Sequence, residues 1–156
     1  MTPMVTRSSC LPVVLEISSL IADYWFDVDH NWGRTAHLLY TSDGIFAIGE
    51  TRMENSEAVR AFYSWRESRG ARQARHVVSN LRVRMATPTQ AEVDLIMCLY
   101  AADGVAVLES KPPILIADVQ AQCVRAADGH WYFASHLLKP VFAGGTPVTV
   151  PSGTGL

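Results

Sequence analysis

Cysteine is scarce in this chain and poorly placed for metal or disulfide chemistry. The three present, Cys10, Cys98 and Cys123, are far apart and odd in number. No CxxC or CxH spacing occurs, so neither a disulfide frame nor a zinc site is indicated. A reducing cytoplasm is the expected compartment. Long apolar runs are missing too: nothing approaches the ~18 uncharged apolar residues of a membrane span. Glu16 interrupts the first apolar stretch, and no apolar core followed by small residues marks an export signal. A soluble, unexported protein with no membrane partner is expected. Charge of one sign is also lacking. Thirteen Lys and Arg stand against fifteen Asp and Glu, a formal net charge of −2. The densest cationic stretch, WRESRGARQARH, carries Arg66, Arg69, Arg72 and Arg75. It reads as a solvated helix end and not as a nucleic-acid footprint.

What remains is a chain of 156 residues, 49% hydrophobic and 18% charged. That suits one globular domain and is too apolar for disorder. The domain is placed at residues 1–142. The last stretch, 143–156, is rich in Gly, Pro and Thr and is expected to be a flexible tail.

Residues 13–28 repeat apolar side chains at Val14, Ile17, Ile21, Tyr24 and Val28, one helical face that Leu20 and Trp25 widen. NWGRTAHLLY predicts a short second helix, closed by the turn TSDG. GIFAIGE predicts a short strand. ENSEAVRAFYSWRESRG predicts a third helix, with Asn55 or Ser56 as its cap, Glu57 at its positive end and Gly70 at its close.

From Arg75 the period changes to two. RHVVSNLRVRM and AEVDLIMCLYAADG form a hairpin about Pro88. That register sets Arg82 opposite Asp94, Asn80 opposite Ile96 and His76 near Tyr100. A second hairpin turns at Asp128-Gly129, with Val124 opposite Phe133 and Ala121 opposite His136. Helices ahead of a meander imply an α+β fold with the helices on one face of a bent sheet.

In this order, the stretches DHNWGRTAHLLYTSDG, SEAVRAFYSW, ARHVVSNLRV and DVQAQCVRAADGHWYFASHLLKPVF resemble the SnoaL-like branch of the NTF2-like superfamily. The resemblance runs over about residues 12–142. It implies a cone: three N-terminal helices packed in the concave face of a strongly bent mixed or antiparallel sheet, usually homodimeric through the sheet's outer face. The superfamily holds dehydratases, isomerases, cyclases and hydrolases, and also non-catalytic members, so fold does not fix function. The chain is most similar to the dehydratase-like members. Those place a tyrosine on the first helix, an aspartate near its end and a histidine at the start of the first long strand. The matching positions are Tyr24, Asp29 and His76. Where active relatives often carry an arginine on the final strand, this chain has His136.

Removing water, or moving a double bond beside a carbonyl, needs a base for a carbon-bound proton and a donor for the developing oxyanion. It needs no cofactor or metal, and none is expected. A histidine oriented by an aspartate serves as base, and a tyrosine hydroxyl as donor. The pocket is expected to include Val28, Phe62, Val78, Asn80, Ile96 and His136, around a small cyclic apolar substrate bearing a carbonyl or hydroxyl. On a helical wheel, however, Asp29 falls off the apolar stripe, and only a helix that ends or kinks near Val28 turns it inward. His76 read on its own is equally a strand-end histidine bonded to backbone. Two readings stay open: an acid–base lyase or isomerase, and a non-catalytic binding module or partner subunit with the same fold.

Overall fold

The computed structural model describes residues 11–144. From residue 145 the expected tail lies outside the described residues.

Helix α1, Leu11–Asn31, buries Val13, Ile17, Leu20, Ile21, Tyr24 and Trp25, the stripe that the three-and-four spacing requires. It does not stop near Val28. It ends where Trp32 and Gly33 take left-handed backbone, with φ of 61° and 68°. The Gly33 amide then donates to the Asp27 carbonyl at 3.0 Å, closing the last turn. Glycine is needed there twice over, because a Cβ would also sit 2.6 Å from the Tyr63 ring.

The helix expected next does not form. Two left-handed residues leave too few positions before the chain becomes extended at Tyr40, and only a four-residue 3₁₀ turn, Ala36–Leu39, fits. Two α-helices, not three, therefore pack on the sheet. Strands β1, Tyr40–Ile48, and β2, Thr51–Met53, precede helix α2, Ser56–Ser68. Asn55 caps α2 by accepting from the Ala58 amide at 2.8 Å. Four strands follow: β3 Arg72–Thr87, β4 Gln90–Asp103, β5 Leu115–Arg125 and β6 Trp131–Ala143.

The six strands form one sheet in the order β2-β1-β6-β5-β4-β3. Strand β1 runs parallel to β6, and every other pair is antiparallel. The sheet is mixed and the fold α+β. Helix α1 packs on β3 and β6, and α2 on β1 and β2. No described helix is long and apolar enough to cross a membrane.

Register departs from expectation at two bulges. Arg82 does partner Asp94, but β3 is bulged between Ser79 and Arg82, where Asn80 has a φ of 55°. Ile96 therefore partners Ser79, and His76 partners Leu99. The extra residue reverses which side chains face inward. Val83 lies inward after the bulge; Arg72, Ala74 and His76 share that side before it. A bulge at Gln122 likewise moves Val124 opposite Tyr132, while Ala121 keeps His136.

Candidate active site

Between the two helices and the sheet lies a cavity of about 240 Å³. Helix α1 contributes Trp25, Val28, Asp29 and His30, and Trp32 follows from the turn. Helix α2 contributes Phe62, Tyr63 and Arg66. The sheet supplies an apolar floor of Phe46, Ile48, Met97, Leu99, Leu115 and Leu138, and β3 adds Arg72, Ala74 and His76.

Asp29 and His76 form the centre of its polar wall. Asp29 Oδ1 lies 2.6 Å from His76 Nδ1, and Oδ2 accepts the His76 backbone N–H at 2.8 Å. Both side chains are nearly buried, at 6% and 10% exposure. The helix did not have to kink to bring Asp29 inward. The end of β3 comes to the helix: Trp25, one turn before Asp29 on the same side of α1, stacks flat on the His76 ring at 4.1 Å. With Nδ1 held by the carboxylate, Nε2 is the nitrogen left for a ligand.

The neighbouring charges of α1 have other duties. Asp27 accepts from Asn31 Nδ2, the Thr35 amide and Thr35 Oγ1, which fixes the turn after the helix. His30 Nδ1 bonds the Phe26 carbonyl, and its ring stacks on Phe26.

Tyr24 is fully buried and does not line the cavity. Its hydroxyl meets the Tyr63 hydroxyl at 2.5 Å, and Tyr63 is part of the cavity wall. The Tyr40 ring packs edge-on against Tyr24, with centroids 5.6 Å apart, and its hydroxyl lies 3.0 Å from His136 Nδ1. Two buried hydrogen-bonded pairs, His136–Tyr40 and Tyr24–Tyr63, thus lie side by side behind the cavity. Burial raises all three phenols well above their ordinary pKa of 10.0, so all three are uncharged. His136, expected at the pocket wall, is a core residue stacked on Phe133. Burial, helped by repulsion from His76, lowers its pKa to about 3.

Of the remaining expected pocket residues, Val28 and Phe62 line the cavity and three do not. Asn80 forms the bulge and is exposed. Val78 partners Met97 but stays exposed outside the lining. Ile96 falls on the outer face, between inward Leu95 and Met97, because β4 alternates strictly. Tyr63, Arg66 and Arg72 were not expected. For the two on α2 the signal was nonetheless present: Val59, Phe62, Tyr63 and Arg66 lie at spacings of three and four, a single face of the helix. Among the described residues, no group of three or more His, Cys, Asp or Glu is placed to hold a metal ion.

The model of the SnoaL-like domain matches residues 11–136. No curated protein matches the sequence significantly. Among solved structures, Aln2 from a Streptomyces species is similar with a TM-score of 0.75 at 14% identity, covering 86% of this chain and 94% of that one. A protein described as a putative scytalone dehydratase from Novosphingobium aromaticivorans gives 0.74 at 19% identity, covering 94% and 97%. ActVI-ORFA from Streptomyces coelicolor gives 0.73 at 15%, covering 83% and 98%. At such identities the structures speak for the fold, and the matched family model decides membership: the chain belongs to the SnoaL-like domain family.

Proposed function

We propose that the protein is a cofactor-free acid–base enzyme, a dehydratase or an isomerase/cyclase, acting on a small cyclic substrate with a carbonyl and a hydroxyl. The observation that carries this reading is the Asp29–His76 pair, nearly buried at the wall of an apolar cavity. A carboxylate held by both oxygens cannot swing away, and it fixes the imidazole with Nδ1–H donating to Oδ1. The Nε2 lone pair then takes a proton from the carbon beside the substrate carbonyl. As that C–H bond breaks, charge develops on the carbonyl oxygen, and Tyr63 donates a hydrogen bond to it. In a dehydration the C=C bond forms as the C–O bond of the β-hydroxyl breaks. His76 returns its proton to the departing hydroxyl, which leaves as water. In an isomerisation the same proton goes back to a different carbon.

The buried Tyr24 hydroxyl gives Tyr63 this direction. Tyr24 and Tyr63 share a hydrogen bond of 2.5 Å, in which Tyr24 donates to the Tyr63 oxygen. The Tyr63 oxygen is then an acceptor from behind, and its own O–H is free to donate. The scytalone dehydratase description of one structural relative agrees with a dehydration. The cavity volume, below the ~300–1,000 Å³ of drug-sized sites, suits one or two rings.

The test is turnover of a panel of cyclic hydroxyketones by the wild type, Asp29→Asn and His76→Ala. General acid–base help is worth roughly 10²–10⁴ in rate, and a loss of that size is expected in each variant with the fold intact by circular dichroism. An active wild type matched by both variants would remove these residues from the chemistry. A wild type that binds members of the panel and turns none over would leave the binding-module reading in place.

A further inference from the structure

The cavity holds two arginines that the acid–base chemistry does not use. Arg72 lies on β3, 8% exposed, and its Nη1 donates to Asp103 Oδ1 at 2.9 Å. The Asp103 side chain is 73% exposed and faces water. Arg66, half-buried on α2, has no carboxylate partner among the described residues. Its guanidinium lies over the Trp32 ring, 5.9 Å from the centroid. Burial lowers the Arg66 pKa and repulsion from nearby Arg72 lowers it further, against a smaller opposing attraction from Asp103.

The one carboxylate bonded to Arg72 faces water, Arg66 has none in contact among the described residues, and the cavity's own Asp29 is committed to His76, so both guanidinium groups keep N–H donors that an anion in this partly desolvated wall would satisfy. The guanidinium fork matches a carboxylate with two parallel hydrogen bonds. Arg72 already shows an affinity for a carboxylate in its bond to Asp103. The rest of the lining is largely apolar, with Phe46, Phe62, Leu99 and Leu138 among its side chains. A bare inorganic anion would leave that surface uncovered, whereas an acid on a ring covers both.

We propose that Arg66 and Arg72 form a subsite for a carboxylate carried on the ring-bearing substrate, with the ring over the apolar floor beside His76. This rests on the reading of the cavity as the substrate site, and it narrows the substrate class to cyclic acids. Trp32 acts as a positioning residue that keeps Arg66 at the cavity.

Calorimetric titration of the full chain with 2-naphthoate and with its uncharged amide, 2-naphthamide, tests it. The wild type should bind the acid about tenfold more tightly than the amide. Arg66→Gln should bring the two within about twofold by weakening the acid alone. Arg72→Gln should act in the same sense, and if it does not fold, Arg66→Gln decides the outcome. Asp29→Asn should keep at least the wild-type preference, since it leaves both arginines and removes a negative charge from the same wall, so a failure of the acid–base chemistry and a failure of this subsite give different results. Equal binding of acid and amide by the wild type would overturn the proposal, as would an unchanged preference in Arg66→Gln. Inorganic phosphate displacing naphthoate at equal concentration would make this a phosphate site and equally overturn it.

Discussion

His136 illustrates how burial turns a titratable side chain into a structural one. Its ring is enclosed by Phe133, Tyr24 and Trp25 and bonded to Tyr40. The ordinary value of 6.5 falls to about 3. Between those values the unfolded chain binds a proton here that the folded chain refuses. Stability from this group is therefore complete above pH 6.5 and declines as the pH falls toward 3. The slope is about 1.4 kcal/mol per pH unit, so about 2 kcal/mol is lost over the first one and a half units. Urea titrations at about pH 7 and about pH 5 should show a smaller loss for His136→Phe than for the wild type. Identical losses would place the ring in water. Asp29 teaches the complementary lesson. A single apolar stripe on α1 puts it at the rim, yet Trp25, one turn earlier, widens that stripe. An aromatic one turn before an acid marks a second packed face. A wheel drawn around one face cannot show it, because the second face is covered by β3, whose His76 lies 47 positions from Asp29 in the chain.

The β3 bulge decides which side chains meet the cavity. The four strands from β3 onward, the Arg82–Asp94 pair and the two hairpins could be read from alternation and turn residues, whereas β2 and the Tyr40–Gly44 half of β1, expected as helix end and turn, could not. The reversal at Asn80 could not, because V-V-S-N-L-R-V alternates acceptably in either phase, and one inserted residue is invisible to a period of two. The 3₁₀ turn escaped for a related reason: a helix pattern in so short a stretch does not reveal two left-handed positions at its start. Asn80 sits at a φ of 55°, a conformation that asparagine tolerates and glycine prefers. Asn80→Gly should leave the thermal midpoint and naphthoate binding near wild type. Asn80→Val should destabilise by about 1–3 kcal/mol and weaken binding, because a β-branched residue drives the strand toward the unbulged register and turns His76 away from Asp29. Chemical-shift perturbation at the His76 amide separates the outcomes. A valine variant that keeps the wild-type shift would show that the bulge does not set the register.

Across the whole sheet, the outer face carries an apolar row. Val77 partners Cys98, Cys98 partners Ile116, and Ile116 partners Phe142, with Val77 and Phe142 largely exposed. We propose that a second copy of the chain covers this row, as the family resemblance implies. Sedimentation should show a dimer that Phe142→Glu dissociates without unfolding. A monomeric wild type would leave the row without this role. The strand order has a further consequence, for the timing of synthesis. Strand β6 is the last of the six to be made, yet it sits inside the sheet between β5 and β1, and its parallel pairing joins Tyr40 to Phe133 and Ile48 to Leu138. Contacts that distant in the chain form slowly. A nascent polypeptide still lacking β6 has β1 and α2 unlinked from the other long strands, so the hollow cannot close on the ribosome until that strand has emerged.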